Sequence, residues 1–369
     1  MQQILKGSDV IRNLEPLLKN LHCDKFMLVK DSSFPFLSIR DEIESIGISR
    51  VNFSEFTPNP LYEQVKKGIE LFNAEDCKAI VAVGGGSTID VAKCIKLYCN
   101  MNQNDVYMRQ EYKDTGIPLV VIPTTAGTGS ESTIHAVIYW EGKKQSISHS
   151  SILPDVAILD SSVLKTLPLY QKKSTMMDAL CQGIESWWSV NSNDESKEYS
   201  RKTVELVTNN WEKYIFENDD KAAANIMLAA NYSGRAICIT QTTAAHAMSY
   251  KITSLYNFAH GHAVAVCLPE VWTYMLSHPD YCVDSRGSKY VQTIFTDIAL
   301  AMGVDNEKQA IGKFHAMMEK IELKNPRSIN RKEELIALTG SVNPVRLKNN
   351  PINLTEQTLK YLYEIIVNK

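Results

Sequence analysis

The residue types best suited to chemistry lie in the second half of the chain. Asp178 and Gln182 stand four residues apart, a spacing that puts both on one face of a helix. Downstream come His246, His260 and His262, and Asn257-Phe258 interrupts the helical pattern between the first two. One carboxylate, two imidazoles and an amide oxygen form a ligand set for a single divalent cation such as iron, zinc, manganese or nickel. A histidine taken singly is more often a hydrogen-bonded core or surface residue, so spacing alone leaves both readings open.

A second kind of chemistry is written in the first half. Ala82-Val83-Gly84-Gly85-Gly86-Ser87-Thr88-Ile89-Asp90 runs from a buried strand through three glycines into a helix. Glycines let the backbone approach an anion closely, and a helix N-terminus offers free N–H groups and a positive dipole end. Ser87 or Thr88 can cap that helix and touch phosphate. Three consecutive glycines exceed what a tight turn needs, although the pattern is not the common GxGxxG. A further loop, Pro123-Thr124-Thr125-Ala126-Gly127-Thr128-Gly129-Ser130-Glu131, follows another apolar run and sets small hydroxyls between glycines. Ligands of open parallel sheets bind at strand C-termini, where both loops fall.

The elements that must position these groups alternate through the first half. Phe26–Val29, Ala79–Val83 and Leu119–Ile122 read as buried parallel strands. Between them, Tyr62–Phe72 places Val65, Ile69 and Leu71-Phe72 on one helical stripe, and Ile89–Leu97 does so with Ile89, Ala92, Cys94 and Ile95. Ala136–Trp140 and Gln145–Ser150 read as a hairpin about Glu141-Gly142-Lys143-Lys144, and Val156–Leu159 as one more strand. Beyond about Ser162 helical periodicity takes over, in 178–190, 197–216, 222–233 and a C-terminal helix capped by Thr355. The expected architecture is an α/β domain with a parallel sheet over residues 1–162 and an all-helical domain over 163–369.

Composition narrows the class further. Apolar residues make up 44% and charged residues 22% of the 369, and the net charge of -3 supplies no basic face for nucleic acid. No apolar run approaches the roughly 20 residues that span a bilayer. The eight cysteines are scattered without a CxxC pair, and the opening residues lack a signal-peptide layout, so reduced thiols in a cytoplasmic protein are expected.

The chain resembles the iron-containing (group III) alcohol dehydrogenases. The resemblance lies in GGGSTIDVAK (84–93), PTTAGTGSE (123–131), LPDVAILD (153–160), MDALCQGIES (177–186), and HAMSY with AHGHAVAVCLP between 246 and 269. It implies an N-terminal dinucleotide-binding domain, a helical metal-binding domain and a homodimer. It also implies metal ligands at Asp178, His246 and His260, with Gln182 standing where the family usually has a fourth, histidine ligand. Gly84, Gly85, Gly86, Ser87 and Thr88 would hold the diphosphate, with Thr124, Thr125, Thr128 and Lys144 around the rest of the cofactor. Asp31, at the end of the first strand, sits where a carboxylate accepts from the adenosine ribose and repels a 2′-phosphate, which favours NAD(H) over NADP(H).

Departures from the family pattern bear on the substrate. Tyr250 occupies a position that in the family is often histidine and lines the substrate site. DALCQGIESWWSVNS, TTAAHAMSYKITSLY and SVNPVRLKNNP resemble the members that reduce phosphonoacetaldehyde to 2-hydroxyethylphosphonate. A phosphonate needs cations and hydroxyl donors, for which Lys251, Arg235, Arg346, Lys348, Thr242 and Thr243 are candidates. Iron or zinc would polarise the aldehyde, reduced nicotinamide would deliver hydride, and His262 is either a proton relay or a structural residue. Other alcohol or glycerol-type dehydrogenases, a dehydroquinate-synthase-like cyclase, and a dinucleotide-binding protein without catalysis are the alternative readings.

Overall fold

Continuous apolar runs become strands buried on both faces. The computed structural model describes residues 2–367. Its strands are β1 (Gln3–Gly7), β2 (Lys25–Lys30), β3 (Ser49–Phe53), β4 (Ala79–Gly84), β5 (Leu119–Pro123), β6 (His135–Trp140), β7 (Lys143–Ser148) and β8 (Val156–Asp160). Every residue of β4, β5 and β8 is buried. Six strands form one parallel sheet in the order β1-β8-β5-β4-β2-β3. The edge strands β1 (QILKG) and β3 (SRVNF) were not anticipated, because their half-exposed residues make no continuous apolar run.

The strand order places a topological switch between β2 and β4. The chain leaves β2 toward β3 on one side and leaves β4 toward β5 on the other, so their C-terminal ends open a crevice. Around the sheet lie α1 (Leu14–Asn20), α2 (Arg40–Glu44), α3 (Tyr62–Ala74) and α4 (Gly86–Tyr98). The hairpin β6–β7 is tighter than expected: Trp140 pairs with Lys143, and the two-residue turn Glu141-Gly142 takes positive φ at both positions (50° and 71°). The returning strand therefore begins at Lys143 rather than Gln145.

The remaining helices are α5 (Leu169–Trp188), α6 (Asp194–Glu212), α7 (Asp220–Thr240), α8 (Ala244–Tyr256), α9 (His260–Ser277), α10 (Ser288–Ala301), α11 (Glu307–Lys320), α12 (Arg331–Gly340), α13 (Pro344–Leu347) and α14 (Glu356–Ile366). Asn193, Asp219 and Thr355 cap α6, α7 and α14 by accepting from backbone N–H groups. α5 is buried around most of its circumference, with α6, α7 and α9 packed against it. Two glycines permit that closeness. A Cβ on Gly183 would meet Thr203 Cγ2 at 2.7 Å, and one on Gly261, at the start of α9, would meet the Ser174 carbonyl oxygen at 2.0 Å.

The chain divides into two compact units at Leu167–Pro168. The division falls beyond the expected 162 for a local reason. The Asp160 carboxylate accepts from the N–H groups of Ser162 (3.1 Å) and Ile11 (3.3 Å), which ties the turn after β8 to the α/β unit.

Candidate metal centre

In the helical unit, α5 carries Asp178 and Gln182 on one face, one turn apart. α8 begins at Ala244 and presents His246 in its first turn, and α9 begins with His260 itself. The sequence between them does break the helix: Asn257 takes a left-handed conformation (φ 54°) that ends α8. Asp178, His246 and His260 converge, each offering a ligand atom within 4.8 Å of the others. His246 Nε2 lies 3.3 Å, and His260 Nε2 4.0 Å, from Asp178 Oδ1. Two donors about 2.0–2.1 Å from a tetrahedral ion stand about 3.3 Å apart. Asp178 Oδ1 and His246 Nε2 are buried without a hydrogen-bond partner, an arrangement that is costly unless a cation satisfies them. The donor set thus fits a divalent metal.

Glu185, which the sequence reading missed, prepares this site. It lies one turn beyond Gln182 on α5 and is fully buried. Its Oε1 accepts from the backbone N–H groups of Thr243 (3.1 Å), Ala245 (3.0 Å) and His246 (3.3 Å) and from the Thr243 hydroxyl (2.7 Å), while Trp188 Nε1 donates to that same hydroxyl (2.9 Å). Its Oε2 accepts from His246 Nδ1. One carboxylate therefore satisfies the N-terminus of α8 and leaves His246 Nε2 to face Asp178. Burial opposes charge on the His246 ring, but Glu185 and Asp178 outweigh it and raise its pKa to about 10. Burial likewise pushes the Asp178 carboxyl up, yet His246, His260 and the Gln182 amide hold it below its ordinary range.

The other predicted residues are used in several ways. Gln182 reaches the cluster with its N–H toward Asp178 and its oxygen accepting from Ser233 Oγ at 2.9 Å. Tyr250 stacks on His260, with centroids 5.7 Å apart and planes at 4°. Lys251 follows it, half-buried. His262 is held at both ends of its ring, which accords with the structural alternative. Its Nε2 donates to the Lys324 carbonyl (2.8 Å) and its Nδ1 meets the Tyr170 hydroxyl (3.0 Å), so both ring nitrogens are engaged. Arg235 donates to Asn231 Oδ1 (3.2 Å), and Arg346 to Gln241 Oε1 (3.2 Å). The Thr243 hydroxyl is taken up by Glu185 and Trp188. Thr242 is buried, its carbonyl accepting from Asn349 Nδ2 (3.0 Å), whereas Lys348 is exposed.

In the α/β unit, Gly84 ends β4 and the α4 N-terminus follows at Gly86. No side chain caps α4: its N-cap is Gly85, so Ser87 and Thr88 lie within the first turn, contrary to the expected cap. Thr88 is fully buried and donates to Asp31 Oδ2 at 2.8 Å, while Asp31 Oδ1 accepts from Ser33 N–H at 2.9 Å. Asp31 and the glycines thereby stand on the two sides of the β2/β4 switch. A Cβ on Gly84 would meet Thr88 Oγ1 at 2.2 Å and Asp31 Oδ2 at 2.7 Å, so only glycine fits. The second loop folds onto the first: Thr124 N–H donates to the Gly84 carbonyl (3.0 Å), and Thr125 and Thr128 flank Gly85 and Gly86. Lys144 is exposed on β7 and sits close enough to Asp90 to act on its charge.

Lys93 and Asp90 of α4 were not singled out from sequence either. The Lys93 ammonium, fully buried, donates to the carbonyls of Ser130, Thr133 and His135, each at 2.7 Å. Asp90 accepts from Ser130 Oγ (2.8 Å) and Val137 N–H (3.0 Å). Their three-residue spacing on a helix next to a glycine turn was the available signal.

Comparison with known proteins follows the same division. Residues 2–161 match the iron-containing alcohol dehydrogenase family, and residues 172–367 match the C-terminal part of the Fe-containing alcohol dehydrogenase family. The chain is 33% identical over 238 residues to phosphonoacetaldehyde reductase of Streptomyces viridochromogenes, a match spanning 60% of each protein. It is 27% identical over 380 residues to lactaldehyde reductase of Escherichia coli, covering 97% of this chain and 96% of that one. Sulfoacetaldehyde reductase from Bifidobacterium kashiwanohense, solved in complex with NAD+, has the same fold, with a TM-score of 0.89 at 24% identity over 100% of this chain and 97% of that one. With both halves matched along nearly their full length, the chain belongs to the iron-containing alcohol dehydrogenase family, a family of alcohol and aldehyde oxidoreductases.

Proposed function

We propose that the protein reduces a small anionic aldehyde, phosphonoacetaldehyde, to its primary alcohol with NADH and one divalent metal, iron or zinc. The observation that carries the reading is the convergence of Asp178, His246 and His260 with two buried, unpartnered ligand atoms. A metal bound there supplies Lewis acidity toward the aldehyde oxygen, and the nicotinamide supplies the hydride. With the metal bound, Asp178 would contribute the anionic donor and His246 and His260, each having given up its Nε2 proton, the neutral ones. Glu185 keeps the His246 proton on Nδ1. Tyr250, stacked on His260, forms a wall of the substrate site, and Gln182 orients Asp178.

The glycine turn, Ser87, Thr124, Thr125, Thr128 and Lys144 would hold the dinucleotide. Asp31 at the switch point supports NAD(H), since its carboxylate repels a 2′-phosphate. Lys251 and Arg346 are assigned to the phosphonate; Arg346 approaches the start of α8 through Gln241. Similarity to a phosphonoacetaldehyde reductase supports that choice, and similarity to lactaldehyde reductase supports a small aldehyde more broadly. A homodimer in the cytoplasm is part of the same proposal.

The test follows NADH oxidation with phosphonoacetaldehyde, acetaldehyde and propanal, before and after chelation and with Fe²⁺ or Zn²⁺ restored. Metal-dependent, stoichiometric oxidation fastest with phosphonoacetaldehyde is expected. Equal rates with the three aldehydes would remove the phosphonate assignment. Cofactor that is regenerated rather than consumed would point to cyclase chemistry and overturn the reductase.

A further inference from the structure

Tyr170, Ser174, Asp178 and Gln182 follow one another at four-residue intervals on α5 and form a single row along it. The upper part of the row makes the metal cluster. The lower part grips the chain that carries His260. That ligand is the first residue of α9, its side chain is 37% exposed, and Ala259 before it provides no side-chain cap.

Hydrogen-bond directions below it are fixed by chemistry. The Lys324 carbonyl can only accept, so His262 Nε2 carries the ring proton, and Nδ1 is an acceptor. The Tyr170 hydroxyl must then donate to Nδ1 (3.0 Å), and its oxygen accepts the Ala259 N–H (3.0 Å). Ser174 Oγ accepts the His262 N–H (3.1 Å), and Phe258 stacks on the His262 ring at 4.0 Å and 7°. The peptide bond entering Ala259, the residue before His260, is thus tethered to α5 through one phenol, with His262 orienting that phenol.

We propose that Tyr170 and His262 are positioning residues for the metal centre, fixing where α9 begins and hence where the His260 imidazole stands relative to Asp178. The inference rests on the proposed metal site. The two-residue spacing of His260 and His262 then has a division of labour: the first histidine is a ligand and the second a lock.

The full-length protein is stripped of metal and titrated with Zn²⁺ against a chromophoric chelator, with thermal midpoint and NADH affinity measured in parallel. Tyr170→Phe keeps the ring and removes the hydroxyl. It should weaken Zn²⁺ binding by about tenfold or more, as loss of an outer hydrogen bond to a metal site does, with NADH affinity unchanged. His262→Asn, whose amide oxygen can accept from Tyr170, should bind Zn²⁺ more tightly than His262→Leu, which has no acceptor. Tyr170→Phe binding Zn²⁺ like the parent, or the two His262 variants binding alike, would overturn the lock while leaving the metal site intact. A parent protein that binds no Zn²⁺ would overturn both.

Discussion

At the scale of single residues, the candidate centre depends on atoms that would not themselves touch the metal. Glu185 holds four donors on one oxygen and the His246 ring on the other, so its exchange for glutamine replaces an acceptor by an N–H facing an N–H. Glu185→Gln should lower metal affinity 10–100-fold, on the order seen when a histidine ligand loses its carboxylate partner. Metal content of the purified variant and a Zn²⁺ competition titration check it; unchanged affinity would mean that His246 does not need its tautomer fixed. Asp178 and Gln182 were legible in the sequence because their spacing is a helical turn. Glu185 was not, because its partners lie about sixty residues downstream and meet it only when α8 docks on α5. His262 was visible as a histidine, but its role depends on Tyr170 and Lys324, which no local pattern joins to it.

At the scale of elements, close approach decides the geometry. α9 can start beside Asp178 only because Gly261 has no side chain. Gly261→Ala would drive a methyl group into the Ser174 carbonyl and push the helix start away, a strain costing about 1–3 kcal/mol. The expected outcome is loss of bound metal together with a lowered thermal midpoint, checked by metal analysis and calorimetry. In the α/β unit, Lys93→Met would take the ammonium donor from the Ser130, Thr133 and His135 carbonyls, destabilising by about 1–3 kcal/mol. Denaturant titration measures that loss; a variant as stable as the parent would show that the second loop needs no such staple. The buried strands and the helices flanking the glycine turn were readable from their apolar periods. The edge strands β1 and β3 were not, since exposure on one side mixes lysine, arginine, asparagine and serine into them and only the neighbouring strand makes them regular.

At the scale of the whole molecule, the two proposed ligand sites lie in separate units, one built on a parallel sheet and one on packed helices. Binding to the native state stabilises by about 2.7 kcal/mol at a hundred times the dissociation constant. Hydrogen exchange should therefore slow at the first turns of α8 and α9 when Zn²⁺ is restored to chelated protein, and at the ends of β2 and β4 when NADH is added. Exchange at those segments that ignores the ligand would contradict the assignments of the metal and cofactor regions. The sheet has one more consequence, in time rather than space. Among the described residues β1 pairs with β8 alone, Gln3 opposite Val156 and Gly7 opposite Asp160, so in synthesis this strand has no partner until some 150 further residues have been made. At about 5–20 residues per second that is a wait of about 8–30 s. During it, a strand edge with free N–H and C=O groups must stay unpaired. The polar, half-exposed makeup of QILKG suits a segment that has to remain harmless until its neighbour arrives.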